Sequence, residues 1–288
     1  MPVFLTDIND DYTYKNFFSS FISGDISSID YKYLENVTKI RSNAFNSYTQ
    51  LQSISIPKSV SNIFNNAFNS CTNLKQVYYN GTIDDWCSIN FSNPTANPLF
   101  YGAMLYIGNQ LVKDTTINCE KIKDYVFSYY KSLETVTIGN SVTSIGNYAF
   151  EYCSNLTSIT IGNGVTSIGN YAFYYCSSLT SIIIGNGVTS IGNYAFQNCS
   201  SLTSITMGNS VESIGNQAFR NCSSLTSIII PYSITNIETA AFYNCQSLSY
   251  IEYKGTTTEW EDNVAKGTSA FGGVAAVEII CSDGNVPI

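Results

Sequence analysis

Cysteine is the residue whose placement first suggests chemistry in this chain. Five cysteines follow one another at intervals of 23 residues, namely Cys153, Cys176, Cys199, Cys222 and Cys245. A zinc site needs four ligands that converge on one point, and a line of one Cys per repeat does not supply them. Parallel side chains on neighbouring rungs also lie too far apart at Cβ for a disulfide. The column therefore predicts buried thiols that pack, with Cys87, Cys119 and Cys281 outside it.

The composition gives little support for acid–base or nucleophilic catalysis. The chain has no His, so the commonest general base and metal ligand is missing, and Ser-His-Asp and Cys-His arrangements are excluded. Carboxylates do adjoin each other, as at Asp84 and Asp85, but glycoside hydrolysis needs two carboxylates that face each other across a cleft. Neighbouring acids in a turn are more simply solvated loop residues. The sequence thus predicts no catalytic residue, no cofactor and no metal.

The residues that could recognise a partner are those that vary between repeats. Two positions before the Phe, from Phe150 to Phe219, stand Tyr148, Tyr171, Tyr194 and Gln217, and two variable residues follow each Phe. Stacked by the repeat, these positions would form columns rich in Tyr, which offers a rigid ring and a hydroxyl at low entropic cost. The candidate binding residues are Tyr148, Glu151, Tyr152, Tyr171, Tyr174, Tyr175, Tyr194, Gln197, Arg220 and Tyr243.

Two interpretations of these columns are open. They form either a ridge that binds a protein or glycan, or a Tyr ladder that only stabilises a neutral surface. A second repeated surface, which carries Ser158, Ser181, Ser204 and Ser227, is flat and nearly identical between repeats. That surface is more typical of a structural or oligomerising face than of a selective one.

The elements that position these residues follow from the repeat itself. Leu recurs every 23 residues from Leu133 to Leu248, and Phe does so from Phe127 to Phe242. A period of this length predicts a solenoid of stacked coils. In the best-formed unit, LTSITIGNGVTSIGNYAFYYC, Ile159 and Ile161 alternate with polar residues, as in a strand with one buried face. The predicted fold is a mainly β, right-handed solenoid with parallel ladders and one helical turn per coil.

The repeated slots have structural interpretations. The apolar residues should fill layers that stack like on like, and the structural set comprises Phe150, Phe173, Phe196, Phe219 and Phe242 with the five cysteines. Asn147, Asn170, Asn193 and Asn216 should form a hydrogen-bonded ladder. Gly146, Gly169, Gly192 and Gly215 should adopt conformations that a residue with a Cβ adopts only at a cost.

Two segments break the period and match each other. VYYNGTIDDW follows Leu74 and IEYKGTTTEW follows Leu248, which places Trp86 and Trp260 at corresponding positions as structural residues. The first copy continues into LYIGNQLV, which predicts a hairpin, and the second copy should close the last coil. Five segments are expected: an amphipathic capping helix in 1–28, first repeats in 29–74, an inserted Trp module in 75–121, regular repeats in 122–250 and a capping Trp module in 251–288.

Charge and hydropathy bound the partners. The net charge is −8 with 13 Lys and Arg, and without a basic stripe nucleic-acid binding is not expected. No apolar run approaches the roughly 20 residues of a membrane span, and the start MPVFLTDIND does not have the pattern of a signal peptide. No membrane insertion is expected.

The repeat string resembles the BspA-like class of leucine-rich repeats, over about residues 29–250. The Y-x-G-T-x4-W segments are similar to an accessory motif in members from gut Firmicutes. The resemblance implies attachment to a protein or glycan on another cell or in an assembly, and an extracellular or cell-surface location. Because such proteins normally carry a secretion signal, a phage or prophage tail component is the alternative. Oligomerisation is compatible with either.

Overall fold

The computed structural model describes residues 28–29 and 37–288. The amphipathic helix expected within residues 1–28 lies outside the described residues. Two compact units are formed: the first extends to Val112 and includes Lys123–Tyr130, and the second comprises Lys113–Ile122 and Lys131–Ile288. Each unit is a β-solenoid, so the fold class predicted from the 23-residue period is confirmed.

The described part of the first unit contains two ladders of mainly parallel strands and a short helix. Its elements are β1 Ser28–Ile29, β2 Lys39–Ile40, β3 Ser53–Pro57, β4 Asn62–Ile63, β5 Gln76–Asn80, α1 Ile83–Cys87, β6 Asn90–Phe91, β7 Met104–Ile107 and β8 Gln110–Leu111. The first ladder has the order β1-β3-β5-β7-β8, and the second has the order β2-β4-β6. One 3-10 turn, Pro94–Ala96, follows β6.

The second unit repeats this arrangement over more coils. Its elements are β9 Asp114–Ile117, β10 Lys121–Ile122, β11 Thr135–Ile138, β12 Ser144–Ile145, β13 Ser158–Ile161, β14 Ser167–Ile168, β15 Ser181–Ile184, β16 Ser190–Ile191, β17 Ser204–Thr206, β18 Ser213–Ile214, β19 Ser227–Ile230, β20 Asn236–Ile237, β21 Tyr250–Tyr253, α2 Thr257–Asn263, β22 Ala265–Lys266, β23 Glu278–Cys281 and β24 Gly284–Pro287. The longer strands form two sheets, β9-β11-β13-β15-β17 and β19-β21-β23-β24. The short strands from β10 to β22 form one seven-stranded sheet.

Alternation in the sequence becomes alternation of burial in the strands. Ile159 and Ile161 of β13 are buried, whereas Thr160 between them is exposed. Parallel pairing sets Ile159 beside Ile182 and Ile161 beside Ile184. Like residues therefore stack at the strand spacing of about 4.8 Å. The core is a set of such columns. The repeated Leu, Val, Ala, Phe and Cys complete it, and their exposed fraction does not exceed 2% between Val126 and Phe242.

The helical turn predicted around each Phe is a series of hydrogen-bonded turns instead. After each second strand the chain makes hydrogen-bonded turns, such as Tyr174 N–H to Tyr171 O at 3.1 Å and Cys176 N–H to Phe173 O at 3.2 Å. Residues with positive φ flank the Phe, as at Tyr171 and Tyr175, each with a φ of 57°. A regular helix is excluded there because these two residues are left-handed.

Two asparagine ladders join successive coils in the second unit. The predicted one is confirmed: the Asn147 side-chain oxygen accepts the Asn170 backbone N–H at 2.8 Å, and the contact recurs from Asn170 to Asn193 and from Asn193 to Asn216. A second ladder, not foreseen, links Asn140, Asn163, Asn186 and Asn209 in the same way, at 2.8 to 3.0 Å. The side-chain amides thus satisfy backbone donors that the ladders leave open.

The repeated glycines are required for a reason other than the one predicted. Gly146, Gly169, Gly192 and Gly215 do not have a positive φ. Instead, a Cβ at Gly169 would lie 2.6 Å from the carbonyl carbon of Gly146, and one at Gly192 would lie 2.6 Å from that of Gly169. The prediction of a costly conformation was wrong, because close approach of neighbouring coils is what excludes a side chain.

Both Trp modules have the same construction. Thr82 and Thr256 cap α1 and α2, each in a capping box with Asp85 or Glu259. The Trp of each helix is buried against the Tyr of the preceding strand, with ring centroids 5.3 Å apart for Tyr79 and Trp86 and 5.1 Å apart for Tyr253 and Trp260. The two structural Trp residues therefore occupy equivalent core positions.

Each module ends in an antiparallel hairpin. The predicted first hairpin is confirmed, since β7 pairs antiparallel with β8. The second copy forms one as well, because β23 pairs antiparallel with β24. The sequence interpretation had limited the hairpin to the first copy. None of the helices among the described residues has the length and apolar character needed to cross a bilayer.

Candidate functional site

The candidate site is built on the turns that flank each repeated Phe. Two residues per coil are left-handed there, and in several coils they are Asn, such as Asn198 with a φ of 63° and Asn221 with a φ of 61°. The left-handed conformation is fixed by hydrogen bonds from these backbone N–H groups to the next coil, as in Asn198 N–H to Arg220 O at 2.9 Å. In the middle coils, Tyr occupies the same positions: Tyr148, Tyr152, Tyr171, Tyr175 and Tyr194.

These tyrosines form two stacked columns. In the first, the ring centroids of Tyr148 and Tyr171 are 4.8 Å apart and those of Tyr171 and Tyr194 are 4.6 Å apart. In the second, Tyr152 and Tyr175 stack at 4.9 Å. All three pairs are within 10° of parallel. The columns predicted from the repeat are therefore present, and part of each ring is packed against its neighbour.

Tyr174 lies between the two columns. Its ring is nearly perpendicular to those of Tyr171, Tyr152 and Tyr175, with centroid distances of 5.3, 5.6 and 4.7 Å. We call Tyr148, Tyr152, Tyr171, Tyr174, Tyr175 and Tyr194 the tyrosine cluster. It forms one continuous set of ring contacts in three coils.

The residue directly after each Phe forms a middle column that is partly inside the structure. Glu151 is 8% exposed and Gln197 is 9% exposed, so these two candidates offer little surface to a partner, contrary to the expectation that they vary freely at the surface. Arg220 is half-buried, and Tyr243 and Tyr175 are exposed.

Three tyrosines of the cluster have a raised hydroxyl pKa. Burial raises the pKa of Tyr152, Tyr171 and Tyr174, and neighbouring tyrosines and the Glu151 carboxylate raise it further. The direction follows because both desolvation and nearby negative charge oppose ionisation of a phenol. These hydroxyls remain able both to donate and to accept hydrogen bonds at neutral pH.

Beyond Tyr194, polar side chains at the corresponding positions form a hydrogen-bonded network. Gln217 donates to the Tyr194 hydroxyl at 3.4 Å and accepts from Arg220 at 2.7 Å and from Gln197 at 3.3 Å. The Arg220 guanidinium carbon lies 5.1 Å from the centroid of the Tyr243 ring, which is within cation–π range. The structure thus brings all ten candidate residues to the same set of turns.

The cysteine column is buried as predicted, and it has a contact that sequence reasoning missed. All nine cysteines are buried. From Cys176 onwards, the repeated thiols donate to the carbonyl of the Phe one coil earlier, as in Cys199 Sγ to Phe173 O at 3.3 Å and Cys245 Sγ to Phe219 O at 3.1 Å. Burial raises the pKa of Cys199 to about 12. Among the described residues, no group of three or more Cys, Asp or Glu is arranged to hold a metal ion.

The outer face of the longer strands is the second candidate surface. Its serines are half-buried or exposed, as expected, and it also exposes Ile183 and Ile229. Sequence reasoning passed over these two isoleucines. Their positions in β15 and β19, between buried isoleucines, were the signal that could have found them.

Comparison with known proteins places the repeats in a family. The model of the BspA type leucine rich repeat region matches residues 9–97 and 120–249, in six copies. The family match covers the repeats of both units but leaves the hairpins outside it. No curated protein matches the chain.

Solved structures of bacterial leucine-rich repeat proteins are similar to the chain. A T. pallidum leucine-rich repeat protein is 26% identical, with a TM-score of 0.50, over 57% of this chain and 79% of that one. A Bacteroides ovatus leucine-rich repeat protein is 26% identical, with a TM-score of 0.46, over 86% and 76%. A leucine-rich cell surface protein of Faecalibacterium prausnitzii is 24% identical, with a TM-score of 0.33, over 84% and 91%.

Proposed function

The chain belongs to the BspA-type leucine-rich repeat family, and from this premise we propose that it is a non-enzymatic binding protein that recognises a protein or glycan through the tyrosine cluster. Repeat solenoids of this kind serve as scaffolds whose recognition residues are the variable ones. In the cluster, the variable positions are aromatic and partly exposed.

The observation that carries the proposal is the use of Tyr at left-handed positions. A left-handed non-Gly residue costs about 1–2 kcal/mol, and Asn accepts the conformation more readily. Other coils use Asn there and gain an amide ladder, with Asn221 to Asn198 at 2.7 Å and Asn244 to Asn221 at 2.9 Å. Stacking of two aromatic rings returns about 0.5–1.5 kcal/mol. Stability alone therefore does not clearly favour Tyr over Asn at these positions, which supports a role of the tyrosines in recognition.

The backbone offers a variant that tests this role without disturbing the fold. Tyr148, Tyr152, Tyr171, Tyr175 and Tyr194 are replaced together by Asn, which several other coils carry at these left-handed positions. The matched control replaces two tyrosines outside the cluster, Tyr232 and Tyr250, which are 62% and 42% exposed. Both variants are compared with the native chain by circular dichroism and thermal unfolding.

Binding is measured on a printed glycan array and on an array of immobilised extracellular proteins. We expect the native chain and the control to bind the same spots, and the Asn variant to lose at least tenfold in affinity for them. If the folded Asn variant binds those spots as tightly as the native chain does, the tyrosine cluster is not the binding site.

A further inference from the structure

Arg220 is the one cationic residue between Lys131 and Lys254. It belongs to the second unit and directly follows Phe219, on the same set of turns as the tyrosine cluster. No Asp or Glu of the described chain lies within ion-pair distance of its guanidinium. The charge is therefore not neutralised, and an arginine in this state is well suited to bind a carboxylate.

Neutral neighbours hold the Arg220 guanidinium in place. Its Nη1 donates to Gln217 Oε1 at 2.7 Å, and the same oxygen accepts from Gln197 at 3.3 Å. The guanidinium carbon lies 5.1 Å from the centroid of the Tyr243 ring. That ring in turn lies against Gly272, where a Cβ would come within 2.9 Å of Tyr243 Cδ2. The charged group is thus fixed before any ligand binds, which lowers the entropic cost of binding.

Most donors of this guanidinium are unused. A guanidinium carries five N–H groups, and the bond to Gln217 is the one hydrogen bond that the described chain gives it. Nε is buried without a partner, which costs free energy in the folded chain. Nη2 also has no partner, but it is not buried. Nη1 and Nη2 can therefore donate two parallel hydrogen bonds to an incoming carboxylate.

The surroundings favour a glycan over a peptide as the source of this carboxylate. Backbone donors of the turns are already used, as in Asn198 N–H to Arg220 O at 2.9 Å, and a peptide strand finds no sheet edge there to pair with. Side-chain amides are available instead, because Asn198, Asn221 and Asn244 form a ladder beside the arginine. The exposed Tyr175 holds the corresponding position one coil earlier. Amides suit the hydroxyl groups of a sugar, and an aromatic ring suits its C–H face.

We propose that Arg220 binds the carboxylate of an acidic sugar, such as a sialic or uronic acid, with Gln217 and Tyr243 as positioning residues. The inference rests on the proposed function, because the neutral part of the same glycan would lie on the tyrosine cluster. The net charge of −8 gives an acidic ligand no general attraction. Since charges are screened over about 8 Å at physiological ionic strength, selection of the acid depends on this one guanidinium.

The test uses pairs of glycans that differ only in charge. Sialyllactose and hyaluronan oligosaccharides are printed beside their methyl esters, which keep the sugars and lose the negative charge. We expect the native chain to bind at least one acid about tenfold more tightly than its ester. Arg220→Gln introduces the residue type that Gln197 provides one coil earlier, and it should bind the acid no more tightly than the ester.

Lys254→Gln is the matched control, because it makes the same change in net charge at a lysine that pairs with Glu252 after β21. It should keep the native preference for the acid. Arg220→Lys keeps the charge but not the planar fork, so it should keep only part of that preference, and it decides the matter if Arg220→Gln does not fold. The proposal is overturned if the native chain prefers no acid to its ester, or if the folded Arg220 variants keep the native preference.

The same array separates this proposal from that of the tyrosine cluster. The cluster is tested by binding of the esters, and Arg220 is tested by the ratio of acid to ester affinity. If the Asn variant of the cluster binds the esters as the native chain does, the cluster fails as the site, whereas a ratio lost in Arg220→Gln still supports the arginine. Acidic peptides are printed beside their amidated forms, and a charge preference confined to peptides overturns the assignment to a glycan.

Discussion

At the scale of single residues, the repeated cysteine combines two properties that few side chains share. It is small and apolar enough to stack in a closed core, and its thiol is a weak donor. The thiol adds a second hydrogen bond to a Phe carbonyl that already accepts one from the backbone, as Phe173 O does from the Cys176 N–H at 3.2 Å. Where that role changes, so does the residue: Tyr130 fills the slot in its coil and donates to Val112 O at 2.6 Å.

A pair of substitutions separates the donor from the packing. Cys199→Ala removes the donor to Phe173 O and leaves a small void, so we expect a loss of about 1–2 kcal/mol in the free energy of unfolding. Cys199→Ser keeps a donor and should lose less. Urea unfolding followed by circular dichroism measures both variants. Equal stability of the two variants would show that the thiol hydrogen bond contributes nothing.

The same residues show what the sequence could and could not predict. Spacing alone identified the cysteine column, the Phe column and the tyrosine positions, because a fixed period aligns equivalent residues whatever the coil geometry. It did not reveal that the tyrosines are left-handed, since Tyr is a poor indicator of that conformation. The Asn at equivalent positions of other coils was the available signal.

At the scale of elements, the ladders explain which glycines are essential. Residues that alternate along a strand predicted β13 directly, because the period of two is a property of the strand itself. Distances between coils are a property of packing, so the sequence could name the repeated glycines but not the reason for them. Gly164 and Gly187 are the sharpest cases, because a Cβ there would lie 1.8 Å from the Asn140 carbonyl oxygen and 1.9 Å from the Asn163 carbonyl oxygen, respectively.

This crowding gives a prediction at the element scale. Gly187→Ala should lower the free energy of unfolding by about 2–3 kcal/mol, since the backbone of two coils must separate to admit the methyl group. Gly284→Ala in β24 is the matched control, with Thr257 Cγ2 at 3.5 Å as its nearest contact, and it should change stability little. Thermal unfolding compares the two, and comparable losses would contradict the role assigned to close approach of the coils.

At the scale of the whole molecule, the buried thiols should make the free energy of unfolding fall at alkaline pH. The thiols of Cys71 and Cys199 have pKa values raised by burial to about 11 and about 12, and those of Cys176 and Cys222 are raised in the same direction. Unfolded thiols ionise near 9. The folded state therefore retains protons that the unfolded state releases.

The sign of the effect follows from this difference. The contribution of these groups is fully present below about pH 9 and is lost as the pH rises through the folded values towards 12. We expect the urea midpoint to be steady up to pH 9 and to fall steadily above it. A series of unfolding curves from pH 7 to pH 11 measures this, and a midpoint that stays constant across the series would contradict it.

The Asn ladders also have a consequence for how such a gene can change. Because the Asn163 contact to Asn186 has the same form and length as the Asn140 contact to Asn163, every junction between these coils accepts the same neighbour. A duplication or deletion of one 23-residue unit of coding sequence would create no new kind of junction. Recombination between the near-identical repeats can therefore lengthen or shorten the tyrosine cluster by one rung at a time, while the coils on either side remain in register.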